Sequence, residues 1–343
     1  MTVLGAAYYS KGDVRVVDVS TAVPAPGPGE VVLQVAYVGL CGTDLHLVHG
    51  NMDHRVSPPQ VFGHEMSGIV DAVGADVDSC AVGDRVVVRP LVSCGKCPAC
   101  LAGNSHICQR LTFVGIDSAG ALQQHWRVPA ELVHRISAAV PLRHAALVEP
   151  LAVACHDARI GEVRPGEKVV VIGAGSIGLL IAIVVRALGA QPLLVDIVEG
   201  RLAKARSLGF IAIQAGTAAA HVDEWTAGAG ADVVFEVTGS EAGAAAATTL
   251  PRVRGRIIIV GIHPAPRPFD LQRVFWRELV IRGARVYEQA DYVKAIRMLE
   301  DGLVPAEQII TSVRPLSAVM ESLAELEAGT GVKALIDVGG GLQ

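Results

Sequence analysis

Aromatic side chains are scarce in this 343-residue chain: Phe, Trp and Tyr together make up 4% of it. Its cores must therefore be filled by Val, Ile, Leu and Ala. Charge is sparse too, at 18% Asp, Glu, Lys and Arg against 51% hydrophobic residues, a balance that excludes a disordered chain. Basic residues are not in excess. With 29 Lys and Arg against 34 Asp and Glu, the formal net charge is −5, which argues against a nucleic-acid partner held on a basic face. Also missing is a membrane span, which needs about 20 uninterrupted apolar residues. The most apolar stretch, 169–185, has three glycines in its first half and is ended by Arg186, so it reads as a buried strand, a glycine turn and a buried helix. The N-terminal MTVLGAAYYSKGDVRVVDVS lacks a basic start running into an apolar stretch and a cleavage site, so no secretory signal is expected and the cytoplasm is the expected compartment. There, seven cysteines point to metal or catalysis rather than to disulfides.

At roughly 100–200 residues per domain the length suggests two domains. The pattern changes near Pro150. Before it, short β-branched runs at 14–19, 30–38, 68–73, 85–89 and 124–128 are separated by Gly/Pro turns, which predicts an irregular β-rich domain. After it, strands at 168–172, 192–195, 233–236 and 256–260 alternate with helices at 176–188, 199–208 and 241–249. Such alternation predicts parallel β-α-β units and a doubly wound sheet, so the fold class is α/β. Two more helices, 291–300 and 316–328, and a strand, 333–338, complete the chain.

The strand at 168–172 runs into Gly173-Ala-Gly175-Ser-Ile-Gly178 and then a helix. In a G-x-G-x-x-G turn the first glycine permits the tight bend, the second lets backbone approach a pyrophosphate, and the third lets helix and strand pack closely. Asp196 closes the next strand 18 residues after Gly178, where a carboxylate accepts hydrogen bonds from a ribose. It would repel a 2′-phosphate, which favours NAD over NADP. Arg201 nearby is the residue type a phosphate would want.

Cys94, Cys97, Cys100 and Cys108 fall within 15 residues, among Gly and Pro turns. Four thiolates at about 2.3 Å from one ion make a closed tetrahedral zinc site, structural rather than catalytic. An iron–sulfur cluster also uses a Cys-x2-Cys-x2-Cys run. Zinc is preferred because the rest of the chain asks for a nicotinamide and shows no second cluster run. A second constellation is dispersed: Cys41 in Gly39-Leu-Cys41-Gly-Thr43-Asp44-Leu-His46, then His64-Glu65, then Glu149-Pro150. One thiolate, one imidazole and one or two carboxylates suit a zinc that can still take a substrate oxygen. Each of these residues alone is ordinary. Beside the cysteine lobe and the dinucleotide pattern, the set reads as catalytic.

At these residues the sequence resembles the zinc-containing medium-chain alcohol dehydrogenase family, in order and over essentially the whole chain, including Gly83-Asp84-Arg85-Val86 and Glu149-Pro150-Leu151. The resemblance implies a GroES-like catalytic domain over 1–150, rejoined by 287–343, and a Rossmann NAD-binding domain over 151–286, with the catalytic zinc in the cleft between them. It implies Cys41 and His64 as ligands of that zinc, with Glu65 and Glu149 ligating directly or through water. Thr43 falls where the family's hydroxyl takes the alcohol proton, and His46 where the relay reaches solvent. The segment from Glu149 is similar to the polyol branch, which includes sorbitol, 2,3-butanediol and threonine dehydrogenases. That branch's cofactor contacts map onto Ile177, Asp196, Arg201, Val260, Gly261, Ile262, Arg285, Val286 and Tyr287. Leu47 and Val286 stand where sorbitol enzymes carry Tyr and Arg.

The expected protein is thus an NAD-dependent dehydrogenase with two zinc ions per chain, acting on a small secondary alcohol or vicinal diol such as 2,3-butanediol and its ketone. Alternatives are a sorbitol-like polyol, sugar or sugar acid, L-threonine, or a non-catalytic zinc- and NAD-binding role. A homodimer or tetramer is expected, paired through an edge strand at 280–286, with no nucleic-acid or membrane partner.

Overall fold

The computed structural model describes residues 2–342. They form two compact units, one made of the residues up to Glu149 with those from Tyr292 onward, the other of Pro150–Asp291.

The spine of the first unit is the strand Glu30–Gly39 (EVVLQVAYVG). Its apolar residues do not alternate with polar ones, because both faces are covered: Val31, Val32, Leu33, Val35, Ala36 and Val38 are all buried. It pairs antiparallel with Glu65–Val73, His125–Pro129 and Lys333–Asp337. The seven-stranded sheet runs Val133–Arg135, Arg85–Val88, Glu65–Val73, Glu30–Gly39, Lys333–Asp337, Ile310–Pro315, with His125–Pro129 on the spine. A three-stranded sheet of Asp13–Ser20, Val3–Ser10 and Gln60–Val61 lies apart from it in pairing. Strand register brings distant parts of the chain together at the end of the spine. Gly39 is opposite Glu65 on one side and Leu335 on the other, so the last strand of the chain lies beside the residues just past Gly39.

The four-cysteine segment is a loop whose ends are tied by Leu91–Val92 pairing with Thr112–Phe113. Inside it are only one turn of helix, Pro98–Leu101, and a 3-10 turn, Ser105–Ile107. So short a lobe has too few apolar residues for a core of its own.

In the second unit six parallel strands are ordered Ile211–Gln214, Gln191–Asp196, Lys168–Ile172, Ala231–Glu236, Pro251–Ile259, Val280–Gly283. The chain steps outward from Lys168–Ile172 in one direction, then returns and steps outward in the other. That reversal opens a crevice at the carboxyl ends of the two central strands, where doubly wound sheets bind ligands. The helix Ser176–Ala187 is buried from Gly178 to Val185, which accounts for its nearly unbroken apolar sequence.

Several elements depart from the sequence expectation. The strand expected at 256–260 spans Pro251–Ile259, with a register shift against its neighbour and Arg254 at φ 57°. The helix expected at 316–328 is a 3-10 turn, Leu316–Ala318, followed by helix Val319–Glu327. The edge strand expected to reach 286 stops at Gly283, and Val286 takes a φ of 49°, a left-handed conformation that a β-branched residue rarely adopts. Strands Val3–Ser10 and Ile211–Gln214 and helices Gly42–Val48, Ala218–Trp225 and Leu271–Arg277 have no counterpart in that expectation. Among the described residues no helix is long and apolar enough to cross a membrane.

Candidate active site

Cys41 caps the short helix Gly42–Val48: its sulfur accepts from the Thr43 amide at 3.3 Å, and Asp44 reaches back to the Cys41 amide at 2.9 Å. This reciprocal cap fixes where the thiol points. His64 precedes the strand Glu65–Val73, and its Nε2 lies 3.3 Å from Cys41 Sγ. The other ring nitrogen, Nδ1, is 3.7 Å from Asp44 Oδ1, and the ring edge packs on Phe113. Glu149 arrives in the first turn of helix Val148–Ile160. Ligand atoms of Cys41, Asp44 and His64 lie within 4.8 Å of one another, as do those of His64, Glu65 and Glu149.

The electrostatics of this group are those of an acidic pocket out of water. His64, Asp44, Glu65 and Glu149 are buried. Burial pushes the Cys41 thiol up and Asp44 adds to the rise, while His64 opposes it. Burial alone would lower the His64 imidazole, but Cys41 and Asp44 outweigh it and hold the ring well above its ordinary value. One cation sits among them that the sequence reading did not name. Lys333 is buried, ion-paired to Glu65, and donates to the Leu40 carbonyl at 3.0 Å. Its only trace in the sequence is a charge heading an apolar strand, KALID.

These residues fit a zinc ion. A sulfur and an imidazole nitrogen bound to one tetrahedral ion stand about 3.5 Å apart, close to the observed separation. Nδ1 faces the Asp44 carboxylate at 3.7 Å, too far for a hydrogen bond, and it is Nε2 that faces the Cys41 sulfur, as a nitrogen sharing a metal with that sulfur would. A divalent charge would also balance the excess of buried acids.

The cysteine lobe fits a second ion. Cys97 Sγ lies 3.4 Å from Cys100 Sγ and 3.8 Å from Cys108 Sγ, against about 3.8 Å for the edge of a zinc–thiolate tetrahedron. No pair among the seven cysteines is bonded. The Lys96 amide pulls the Cys94 thiol down to about 6, and burial pushes Cys100 up to about 11. Backbone N–H groups of Cys94 and Arg110 both point at Cys108 Sγ. Metal-bound sulfur commonly accepts such backbone amides.

Thr43 and His46 are both half-buried on the Gly42–Val48 helix. Asn51 Nδ2 lies 3.4 Å from His46 Nδ1, and an amide donating there leaves Nε2 protonated in the neutral ring. Leu47, on the same helix, is buried in the apolar core. Its lack of a phenol therefore says little about substrate hydroxyls.

In the second unit Gly173 turns at φ 111°, and a Cβ on Gly178 would sit 1.8 Å from the Gly173 carbonyl, so only glycine permits this packing. The following helix has Gly175 as its N-cap and no side chain bonded to its first amides. Those amides suit a pyrophosphate. The sequence reading put Asp196 on a ribose, and here the carboxylate also holds the turn together. Oδ2 accepts from the Ala174 amide at 2.7 Å, and Oδ1 from Ile197 and Val198 at 2.7 and 2.9 Å. Of about four lone-pair directions, three are used by backbone. Arg201 stands 3.9 Å from Asp196. Ile177 lies on the first turn of the helix, Val260, Gly261 and Ile262 follow strand Pro251–Ile259, and Arg285, Val286 and Tyr287 follow the edge strand, with Arg285 exposed and Tyr287 buried.

A parallel sheet with a glycine-rich dinucleotide turn, joined to a β-rich unit holding two metal-ligand clusters, defines a metal-dependent dehydrogenase. Comparison with known proteins agrees. Residues 27–138 match the alcohol dehydrogenase GroES-like domain, and residues 176–301 match the zinc-binding dehydrogenase family. The chain is 46% identical over 316 residues to a 2-dehydro-3-deoxy-L-galactonate 5-dehydrogenase of Pseudoalteromonas atlantica, covering 91% of this chain and 93% of that one. Two solved structures are also similar. One is an alcohol dehydrogenase of Escherichia coli complexed with NADH, at TM-score 0.90 and 27% identity, covering 98% of this chain and all (100%) of that one. The other is a 2R,3R-butanediol dehydrogenase of Bacillus subtilis, at TM-score 0.89 and 28% identity, covering 98% and 99%. This chain belongs to the zinc-containing medium-chain alcohol dehydrogenase family, and it is a zinc-dependent dehydrogenase acting on CH–OH donors.

Proposed function

We propose that this enzyme uses NAD to interconvert a secondary hydroxyl and a ketone on a polyhydroxylated sugar acid. The observation that carries the substrate class is the 46% identity, over nine-tenths of the chain, to an enzyme named for such a substrate. A small vicinal diol is the second reading, favoured by the butanediol dehydrogenase likeness at 28% identity. We take the two compact units as the catalytic and NAD-binding domains.

In this reading Cys41 and His64 would hold the catalytic zinc with Glu65 or Glu149, and Cys94, Cys97, Cys100 and Cys108 would hold the structural one. A zinc held there would supply Lewis acidity that lowers the pKa of an alcohol hydroxyl, and bound NAD would supply the hydride acceptor. The protein residues supply the proton path. Thr43 Oγ1 would accept the hydroxyl proton and pass its own toward His46, whose ring can take it only at Nδ1, with Asn51 turning its amide oxygen to the new N–H. Asp44, bonded to the Cys41 amide, places a buried carboxylate beside the His64 ring. Lys333 holds Glu65 back from solvent and fixes one of its oxygens.

The test is NADH formation by the purified enzyme on sugar acids, xylitol, sorbitol, butane-2,3-diol and threonine, with and without a chelator. The sugar acid should lead the others in kcat/KM by about 10²-fold or more, since a site built to hydrogen-bond hydroxyls rejects analogues that lack them. Equal or better turnover of the butanediol would replace the first reading with the second.

Cofactor choice has its own test. Asp196→Ala should raise the Kd for NAD at least about tenfold, because it removes both a ribose acceptor and the acceptor of the Ala174 amide. NADP binding should fall less, since Arg201 remains for a 2′-phosphate. An unchanged NAD to NADP affinity ratio would remove Asp196 from the ribose site.

We also propose that two copies pair at the edge strand Val280–Gly283. Val280 and Ile281 are exposed there, and on the preceding helix Phe275 and Trp276 are 72% and 73% exposed. Sedimentation should show a dimer or tetramer, and a monomer at micromolar concentration would end the idea. A cytoplasmic setting suits seven cysteines of which none is in a disulfide.

A further inference from the structure

We propose that Glu236 and His263 form a positioning pair that sets the nicotinamide half of the cofactor site. The inference rests on the NAD reading above. Glu236 ends strand Ala231–Glu236 and is fully buried. It lies in register with Ile172, the residue before the glycine turn, on the side of the reversal point away from Asp196. A dinucleotide laid across that crevice has its adenosine toward Asp196 and its nicotinamide toward Glu236.

One carboxylate here gathers two loops. Glu236 Oε1 accepts from the Thr238 amide at 2.9 Å and the Thr238 hydroxyl at 2.5 Å. Oε2 lies 2.9 Å from His263 Nε2, and because a carboxylate only accepts, that nitrogen carries the proton. The Glu236 carbonyl takes the amides of Val260 and Gly261, each at 2.9 Å. The loops touch so closely that a Cβ on Gly261 would sit 2.2 Å from the Gly239 nitrogen. His263 directly follows Val260, Gly261 and Ile262, so its bond to Glu236 decides where those residues stand. Its Nδ1 is buried without a hydrogen-bond partner among the described residues. An apolar side chain would fill the same space if the loop needed packing alone. The second loop is tied instead to a charged group that also shapes the first.

ADP-ribose keeps everything in NADH except the nicotinamide ring, so the two ligands separate this role from general loop stability. Binding of each would be titrated on the zinc-loaded enzyme, wild type and variants, alongside Tm. His263→Ala should weaken NADH about tenfold and ADP-ribose less than twofold. His263→Gln, which keeps a donor for Glu236, should stay within about threefold of wild type for NADH. Equal weakening of both ligands, or no weakening of either, would overturn the proposal, as would a glutamine variant no better than alanine. Should His263→Ala not fold, His263→Gln together with Glu236→Gln decides: the first must retain NADH binding and the second lose it selectively. A wild-type enzyme that binds neither ligand would take down the NAD reading, and the pair with it.

Discussion

Cys41→Ser should reduce turnover by about 10³-fold or more while NADH binding stays within about twofold. A serine hydroxyl is a poor zinc ligand, and losing the Lewis acid forfeits several kcal/mol of transition-state stabilisation, at about 1.4 kcal/mol for each factor of ten. Metal analysis should fall from about two zinc ions per chain to about one. The second ion should stay, because the four-cysteine lobe is tied by its own pairing of Leu91–Val92 with Thr112–Phe113 and shares no ligand with Cys41. Persistent activity would refute the catalytic assignment, and loss of both ions would show that the two sites are not independent.

Lys333→Met should cost about 3–5 kcal/mol of stability in urea unfolding, the usual penalty when one partner of a buried ion pair is removed. The pair is as buried as any among the described residues, and Glu65 would be left among Asp44, Glu149 and the Cys41 thiol. Burial opposes the Lys333 charge, but Glu65, Cys41 and Asp44 more than offset it and raise its pKa, so the ammonium is needed where it is. Two comparisons isolate the cause. A bound divalent ion would balance the same acids, so the loss should be larger in chelated protein than in zinc-loaded protein. The double variant Lys333→Met with Glu65→Gln should regain most of the stability, since neither charge is then stranded. A loss that is the same with and without zinc, and unrelieved by the double variant, would mean that Lys333 acts only through packing.

Lys333 also shows where reading the sequence stops. Nothing near Glu65 in the chain hints at an ammonium partner, because the contact depends on the last strand docking against Glu30–Gly39 with Leu335 opposite Gly39. The same holds for Glu236, at the end of one strand, and His263, on the loop after another. Asp196 was legible as a carboxylate at the end of a strand, but its service to three backbone amides was not, since that depends on how the glycine turn folds over it.

What the sequence determined by itself is local in origin. The alternation of strand and helix after Pro150 specifies parallel β-α-β units, because side-chain periodicity decides which face is buried. The glycine turn and the cysteine quartet are motifs of a few residues, within reach of one another whatever the rest of the chain does. Tertiary structure decided how Cys41, His64, Glu65 and Glu149 meet, which cation offsets them, and which loops close on the sheet. Those outcomes depend on strand register and on residues hundreds of positions apart. Coulomb energy and hydrogen bonding depend on distance in space, and no spacing along the chain encodes it.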